Sequence, residues 1–360
     1  MATSTLIDNI VVNNMQVFAK LKVIFFIVVL VTFSFQSCDN DSEIDYLHSL
    51  PMISADSVKV TKIWDNDRYC SFTSLIKYQN KYYCAFREGV GHAGDNGCIR
   101  ILTSDDAKSW NEAFFLTYPN YDLRDPNLSI MPDGRLMLMC GLQNSKLMQT
   151  QTVVSFLVNP DGGFSSFQLV EIPDMVKKST NWIWRATWFD NICYGVRYGD
   201  DCADLLKTVD GIHWEYVSTI STGFTEVQLG RMSNGDMVAL GRSNYNGYVC
   251  YSCFPYKEWD IHPSNIVLQG QCFFVTVNDK LICASRNKNN GKLTNLYGSV
   301  SSNKFSELFV FPSGGDTSYP GMIIEDNRLL LSYYSSHISS SDIFIAEIPL
   351  KCLIDRGFLF

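Results

Sequence analysis

Residues 227–242 read Val-Gln-Leu-Gly-Arg-Met-Ser-Asn-Gly-Asp-Met-Val-Ala-Leu-Gly-Arg, and this stretch is the clearest copy of a unit that recurs along the chain. An apolar segment leads into a polar turn around Asn234, and a second apolar segment ends on Arg242. An Asn-Gly pair between two apolar runs is a strong signal for a β-hairpin. The same unit occurs five more times, with its turn at Asn80, Asp133, Asp190, Asp279 and Asp326.

The spacing of these six turns indicates a ring of similar sheets. Successive turn residues lie 53, 57, 44, 45 and 47 positions apart, and no long segment with helical periodicity separates them. A repeat of about fifty residues built only from strands is typical of a β-propeller. Because one such sheet cannot bury both of its faces, we expect a single all-β domain of six four-stranded blades.

The composition agrees with a folded, strand-rich protein. Of the 360 residues, 46% are hydrophobic, 18% charged and 13% aromatic, which excludes a disordered or collagen-like chain. The net charge is −8 and no basic block occurs, so a nucleic-acid partner is not expected. The chain has no phosphate-binding loop, dinucleotide-binding fingerprint or histidine metal cluster, and neither a cofactor nor a metal is predicted.

The N-terminus has the pattern of an export signal. Lys20 and Lys22 precede an apolar run over residues 23–33, which is too short to span a bilayer stably. Ser37-Cys38 and an acidic stretch follow this run. The arrangement resembles the signal of bacterial lipoproteins, in which the cysteine is lipidated and becomes the first mature residue. An ordinary cleaved signal or a short anchor helix is the alternative.

These features predict the organisation of the whole chain. We expect a signal peptide over residues 1–37, a lipidated Cys38 with a flexible tether over residues 38–60, and the propeller over residues 61–360. The lipid would attach the protein to the outer membrane or cell surface of a Gram-negative bacterium. A monomer is expected.

Two further segments lie at equivalent places between repeats. Residues 104–110, Ser-Asp-Asp-Ala-Lys-Ser-Trp, and residues 208–214, Thr-Val-Asp-Gly-Ile-His-Trp, both fit Ser/Thr-x-Asp-Gly/Ala-x-x-Trp. They resemble the Asp-boxes of sialidase-like propellers, where the Asp stabilises a turn between outer strands by accepting backbone N–H hydrogen bonds. With the six-fold repeat, they make the chain from about residue 68 onward similar to the sialidase family of glycoside hydrolases.

The resemblance implies a sugar site on the propeller axis, where the inner strands begin. In this family a tyrosine attacks the anomeric carbon with help from a glutamate base, and an aspartate acts as acid/base. Tyr319 and Glu226, which start the sixth and fourth inner strands, match the nucleophile and its partner. Asp95, in the loop after the second strand of the first blade, matches the acid/base residue, and His92 in that loop is the second choice.

The family also uses three arginines to hold a substrate carboxylate, and an Asp-Pro element whose aspartate contacts the substrate. Arg242 and Arg286 match two of the arginines, and Arg124-Asp125-Pro126 matches the Asp-Pro element. Because arginine recurs at one position of the repeat, a structural role at each strand end is the alternative interpretation. The predicted substrate-binding residues are Arg87, Arg124, Asp125, Arg185, Arg242, Arg286 and His337.

One departure from the family concerns the third arginine. The stretch that opens the first inner strand, residues 70–75, reads Cys-Ser-Phe-Thr-Ser-Leu and contains no arginine. Arg87 lies nearby in the repeat and is expected to point into the same site.

From the resemblance as a whole we expect an exo-glycosidase acting on terminal sialic acid or a related sugar of a glycan. The alternatives are an enzyme of this fold with another specificity, including a lyase, and a non-catalytic glycan-binding propeller. The presence of both Tyr319 and Glu226 favours an enzyme.

Overall fold

Each of the six hairpins predicted from the sequence joins the innermost strand of a sheet to the second strand. The structure is a computed structural model that describes residues 49–360, except residues 95, 145–148, 160–161, 200, 245 and 288–291. The chain forms an all-β propeller of six blades, which confirms the predicted fold class. The predicted signal peptide and Cys38 lie outside the described residues.

In the first three blades the strands follow one another in chain order from the inner to the outer edge. Blade 1 consists of β2 (Tyr69–Tyr78), β3 (Lys81–Gly89), β4 (Cys98–Ser104) and β5 (Asn111–Leu116). In blade 2 the outer strand is split into two short pieces, and the strands are β6 (Asp122–Ile130), β7 (Leu136–Asn144), β8 (Gln149–Asn159), β9 (Gly163–Phe164) and β10 (Gln168–Leu169). Blade 3 consists of β11 (Trp182–Phe189), β12 (Ile192–Gly199), β13 (Cys202–Thr208) and β14 (Glu215–Thr222).

The remaining three blades follow the same order. Blade 4 consists of β15 (Thr225–Arg231), β16 (Met237–Ser243), β17 (Asn246–Ser252) and β18 (Asp260–Pro263). Blade 5 consists of β19 (Cys272–Val275), β20 (Leu281–Asn287), β21 (Leu293–Ser299) and β22 (Phe305–Val310). Blade 6 consists of β23 (Thr317–Glu325), β24 (Arg328–Ser335), β25 (Asp342–Pro349) and, on the outside, β1 (Lys59–Trp64). The described residues also contain two short helices, a 3₁₀ helix (Ala55–Ser57) and α1 (Leu350–Ile354).

The ring closes because the two ends of the domain share blade 6. Strand β1 pairs antiparallel with β25, with Lys59 opposite Glu347. The structure extends the propeller beyond the boundary expected at residue 61, since Ile53 already packs in the core and its N–H donates to the Leu308 carbonyl at 2.7 Å. Strand β1 thereby covers the edge of β25, whose N–H and C=O groups would otherwise lack strand partners.

The hydrophobic core consists of six clusters, one between each pair of neighbouring blades. Strand β16 illustrates how one strand contributes side chains to two of these clusters. Met237 and Ala239 face blade 3, whereas Val238 and Leu240 face blade 5. Because successive side chains of a strand point to opposite faces, an apolar run without alternation fits a sheet that is buried on both sides. Within the described residues, no helix is long and apolar enough to cross a membrane.

The two turns that carry the Ser/Thr-x-Asp pattern have the same geometry. Asp106 accepts hydrogen bonds from the N–H groups of Lys108 and Ser109, each at 2.8 Å. Asp210 accepts from Ile212 and His213 at the same distance. Each turn joins the third and fourth strands of its blade, on the side away from the inner-strand starts, so these aspartates stabilise the scaffold.

Candidate active site

A β-bulge near the start of each inner strand builds the site. In blade 1, Ser71 pairs with Arg87 and Ser74 with Ala85, so three steps on β2 oppose two on β3. The same register shift follows the equivalent residues Arg124, Ile183, Thr225 and Ser318 of blades 2, 3, 4 and 6. In blade 5 the N–H of Arg286 donates to the Gln269 carbonyl at 3.2 Å and Cys272 pairs with Ala284, so three steps again oppose two. A bulge bends the strand and redirects one side chain. The first residues of the six bulges are Phe72, Asp125, Trp184, Glu226, Gly270 and Tyr319.

These six residues, hereafter the bulge ring, surround the propeller axis. Five of them have φ between 44° and 60°, a region in which residues other than glycine are uncommon. The bulge residues of blades 1, 2, 3 and 6 line one small cavity of about 10 Å³. That volume is about enough for a single water molecule. The cavity, hereafter the floor of the site, therefore accepts only a small polar group, and a larger ligand has to lie above it.

Tyr319 and Glu226 meet across the bulge ring. The Tyr319 hydroxyl donates to Glu226 Oε1 at 2.6 Å, and Arg242 Nη1 donates to the same oxygen at 2.8 Å. The N–H of Gly270 donates to Glu226 Oε2 at 2.9 Å. Three donors therefore fix the carboxylate. Burial, followed by the charge of Glu226, raises the pKa of Tyr319 well above its usual range, so the phenol keeps its proton at neutral pH and shares it with Glu226.

Gly270 is required at its position in the bulge ring. Its φ is +59°, and a Cβ atom on this residue would collide with the ring of Tyr319. The absence of a side chain in blade 5 is what allows the Tyr319 ring to lie beside Glu226.

Arg286 covers the other side of Tyr319. Its guanidinium carbon lies 5.6 Å from the centre of the Tyr319 ring. Its Nη2 donates to Asp316 Oδ1 at 2.6 Å and to the Tyr334 hydroxyl at 2.9 Å, and Nε donates to the Thr317 carbonyl at 2.8 Å. The site therefore holds Arg286 with its charge already balanced by Asp316.

Asp125 is a buried carboxyl group without a partner on one oxygen. Among the described residues, no hydrogen bond reaches Oδ1 of Asp125. Burial raises the pKa of Asp125 to about 7, against the opposing charge of Arg124. A buried polar atom without a partner is costly, and a ligand group at this position would remove that cost.

Two further arginines stack on the aromatic side chains of the bulge ring. Arg124 lies 5.0 Å from the ring centre of Phe72, and Arg185 lies 4.7 Å from that of Trp184. Arg185 Nη2 also donates to the Pro320 carbonyl at 2.9 Å. Cation–π contacts of this kind hold both guanidinium groups beside the axis.

Phe72 occupies the blade 1 position, where the resemblance leads one to expect an arginine. Its ring contacts Tyr319 edge-to-face at 4.8 Å between centroids, and Tyr334 at 5.7 Å. Where the resemblance predicts an arginine, the apolar ring of Phe72 therefore packs against the candidate nucleophile Tyr319.

The structure separates Arg87 and His337 from this group. Arg87 is fully buried, and its Nε donates to Asp122 Oδ1 at 2.7 Å, which ties blade 1 to blade 2. His337 Nδ1 lies 2.8 Å from Ser335 Oγ, and no described contact links it to Tyr319 or Glu226. Both substrate-binding roles stay predictions, as does the role of Asp95, which lies outside the described residues.

Sequence reasoning missed Asp316 and Tyr69. Asp316 accepts hydrogen bonds from Tyr69 and Arg286 and lies 2.7 Å from His92 Nδ1. It precedes Tyr319 by three residues in an irregular segment, and this proximity in the chain was the one available signal. Its partners are 30 to 247 residues away, a separation that hairpin patterns do not reveal.

Comparison with known proteins supports the fold. No protein-family model matches the chain, and no curated protein matches it. A protein of unknown function from Dyadobacter fermentans superimposes with a TM-score of 0.69 at 16% identity, over 81% of this chain and 98% of that chain. The NanB sialidase from Streptococcus pneumoniae gives a TM-score of 0.64 at 11% identity, over 88% and 74% of the two chains.

A third structure widens the range of activities found on this fold. The α-L-arabinanase from Penicillium chrysogenum, complexed with arabinobiose, gives a TM-score of 0.60 at 15% identity, over 81% of this chain and 98% of that chain. At these identities the likeness shows the fold alone. The chain thus shares the six-bladed propeller of sialidases and of an arabinanase, two kinds of glycosidase.

Proposed function

We propose that this protein is an exo-glycosidase that removes a terminal sugar, sialic acid or a related one, from a glycan. The observation that carries the proposal is the hydrogen bond of 2.6 Å from the Tyr319 hydroxyl to Glu226, at the axis of a propeller. Arg242 and the Gly270 N–H hold the carboxylate in place. A nucleophile within hydrogen-bond reach of an oriented base is the arrangement that covalent catalysis needs.

The proposed reaction has two steps. In the first step Glu226 accepts the phenolic proton, the Tyr319 oxygen bonds to the anomeric carbon, the glycosidic bond breaks, and an acid/base residue gives its proton to the departing oxygen. Asp95 is the first candidate for that residue and His92 the second. In the second step water gives a proton to the acid/base residue and attacks the same carbon, the Tyr319–carbon bond breaks, and Glu226 returns its proton to the phenol. Because the pKa of Tyr319 is raised, the phenol is a poor nucleophile alone, and proton transfer to Glu226 in the transition state is required.

The bulge ring also suggests how a sugar is held. Asp125 has one oxygen free for a substrate hydroxyl. Trp184 and Phe72 line the small cavity but are each only 2% exposed, so they shape the site from below. Arg286, which is paired with Asp316, lies beside Tyr319 and is the candidate to bind an acidic group of the substrate. The replacement of one expected arginine by Phe72 argues for a related sugar over sialic acid itself.

A glycan-binding protein without catalytic activity is the second candidate. The burial of Tyr319, which is 7% exposed, favours it, because a nucleophile has to reach the anomeric carbon of a bound sugar. Such a protein would bind a sugar at the rim and leave it intact.

A hydrolysis screen separates the two candidates. The protein without its first 37 residues is tested on a panel of aryl glycosides that includes sialosides, and sugar binding is measured by calorimetry on the same panel. We expect release of the aryl group from at least one glycoside, with loss of turnover in Tyr319→Phe. Binding without any turnover would reject the enzyme and support the glycan-binding protein.

A further inference from the structure

A carboxylate and an imidazole form a pair at the rim of the candidate site. His92 Nδ1 lies 2.7 Å from Asp316 Oδ2, and the hydroxyl of Tyr69 donates to the same oxygen. Arg286 donates to the other oxygen of Asp316 at 2.6 Å. Asp316 therefore has partners from blade 1 and blade 5, which fix its orientation.

The protonation of this pair follows from its partners. Burial alone would raise the pKa of Asp316, but the hydrogen bond from His92, the charge of Arg286 and the hydrogen bond from Tyr69 hold it well below its usual range. An ionised carboxylate only accepts hydrogen bonds, so Nδ1 of His92 carries the hydrogen that it shares with Asp316. Nε2 is then the nitrogen that exchanges a proton with another group, and no described contact occupies it.

The position of His92 suits transfer of a proton to a leaving group. Its ring packs edge-on against Phe72 at 5.2 Å, and Tyr319 packs against the same phenyl ring at 4.8 Å. The side chain of His92 is 49% exposed, whereas Tyr319 is 7% exposed. A sugar whose anomeric carbon lies at Tyr319 directs its leaving group towards solvent, and His92 stands on that side.

Asp125, which shares the bulge ring with the proposed base Glu226, is another described carboxyl group near the axis, and its location differs from that of His92. It is 8% exposed and lines the floor of the site beside Tyr319, where the sugar itself would lie. The charged groups that act on His92 are thus Asp316 and Arg286 at the rim and Asp125 below, which interacts with His92 through space. Tyr69 completes the set of titratable groups around the pair.

We propose that His92, oriented by Asp316, takes the acid/base role for which the resemblance gives Asp95 as the first choice, and transfers the proton to the leaving oxygen and from the attacking water. This inference rests on the proposed glycosidase function. In the first step the Tyr319 oxygen bonds to the anomeric carbon, the glycosidic C–O bond breaks, and the proton on Nε2 moves to the departing oxygen. In the second step Nε2 takes a proton from the attacking water, the Tyr319–carbon bond breaks, and the proton held by Glu226 returns to the phenol.

Leaving-group dependence tests this role. The rates of His92→Gln are measured on a dinitrophenyl glycoside, whose leaving group needs no proton, and on a phenyl glycoside of the same sugar, whose leaving group does. We expect a loss of about 10²–10⁴-fold on the phenyl glycoside, the usual contribution of a general acid, and a small loss on the dinitrophenyl glycoside. The decline of kcat/KM at high pH that reports loss of the donor proton should also disappear.

Three variants serve as comparisons. His262→Gln removes a histidine from a similar pair with Asp260, 2.8 Å apart on an outer strand, and should leave both rates unchanged. Asp125→Asn should slow both glycosides alike, because it acts on the sugar. Asp316→Asn, which removes the positioning residue, should show the leaving-group pattern of His92→Gln with a smaller loss.

The outcomes separate this inference from the proposed function. Equal losses on both glycosides in a folded His92→Gln, or no loss at all, overturn the role of His92 and leave the enzyme standing. A wild-type protein that turns over no glycoside overturns the proposed function and this inference together.

A nuclear magnetic resonance spectrum gives a readout that needs no turnover. A downfield signal from the Nδ1 proton of His92 should be seen in the wild type and be lost in Asp316→Asn. Absence of this signal from the wild type would overturn the pairing of His92 with Asp316.

Discussion

A single residue in each bulge decides what each blade contributes to the axis. The same backbone geometry presents Phe72, Asp125, Glu226 or Tyr319, depending on the blade. A positive φ at a side chain other than glycine costs about 1–3 kcal/mol, and such strain is common where a site is held in place. The chemistry of the candidate site therefore depends on the side chains at a few strained positions, the bulge residues with positive φ.

At this scale we expect the Tyr319 and Glu226 variants to be coupled. Tyr319→Phe should remove most turnover and leave binding nearly intact, because only the phenolic oxygen is lost. Glu226→Gln removes the base and should slow the first step by about 10²–10⁴-fold. Because both residues serve one step, the double variant should lose less than the product of the two single losses in steady-state kinetics. Fully multiplicative losses would show that the two residues act in separate steps.

Asp125 should make stability depend on pH in a definite direction. In the folded protein its pKa is raised to about 7, against 3.8 in the unfolded chain, so the folded state binds the extra proton between these values. Stability contributed by protonated Asp125 is therefore present below pH 4 and is lost as the pH rises towards 7. Asp125→Asn should gain stability relative to wild type over that range in urea unfolding, and a constant difference at pH 4 and pH 8 would contradict the raised pKa.

Among the elements, the six inner hairpins and two of the turns between third and fourth strands could be predicted from the sequence, because short-range rules govern them. Turns that contain Asn or Asp between apolar runs predicted all six inner hairpins. The bulges were not readable, since each requires a register shift that depends on packing at the axis. The contribution of β1 to blade 6 was also missed, because the sequence does not show which strand pairs with β25.

The turn of Asp106 gives a prediction with a matched control. Hydrogen bonds from Ser109, Lys108 and Ser104 lower the pKa of Asp106 to about 2. A lowered pKa contributes stability that is present above pH 4 and is lost as the pH falls towards 2. Asp106→Ala should lower Tm at pH 7 more than Asp105→Ala, which removes the exposed neighbouring carboxylate. The two variants should melt at similar temperatures near pH 2, and similar melting at pH 7 would contradict the role of Asp106.

For the molecule as a whole, the six-fold period predicted the architecture of six blades. Arg87 shows what the period could not resolve. It shares its repeat position with Arg242 and Arg286, yet Asp122 holds it in a buried ion pair, while Arg242 reaches Glu226. The period also could not reveal contacts that form only where blades 1, 5 and 6 meet. These are the contact of Phe72 with Tyr319 and the hydrogen bonds that Asp316 accepts from Tyr69 and Arg286.

The location of the protein is also a property of the whole chain. We propose that Cys38 carries the lipid that anchors the propeller to the outer membrane or cell surface. Cys38→Ser should leave the protein soluble or mislocalised, with the propeller folded, because the described domain begins ten or more residues later. Labelling with a radioactive fatty acid checks this: unchanged incorporation after the substitution would exclude lipidation at Cys38.

The central claim is that Tyr319, with Glu226, forms a covalent bond to the sugar. Its most direct measurement is mass spectrometry of the protein after reaction with a fluorinated analogue of the sugar that the hydrolysis screen identifies. We predict one added sugar, located on the peptide that contains Tyr319, and no adduct in Tyr319→Phe. An adduct on another residue, or full turnover by Tyr319→Phe, would contradict the claim.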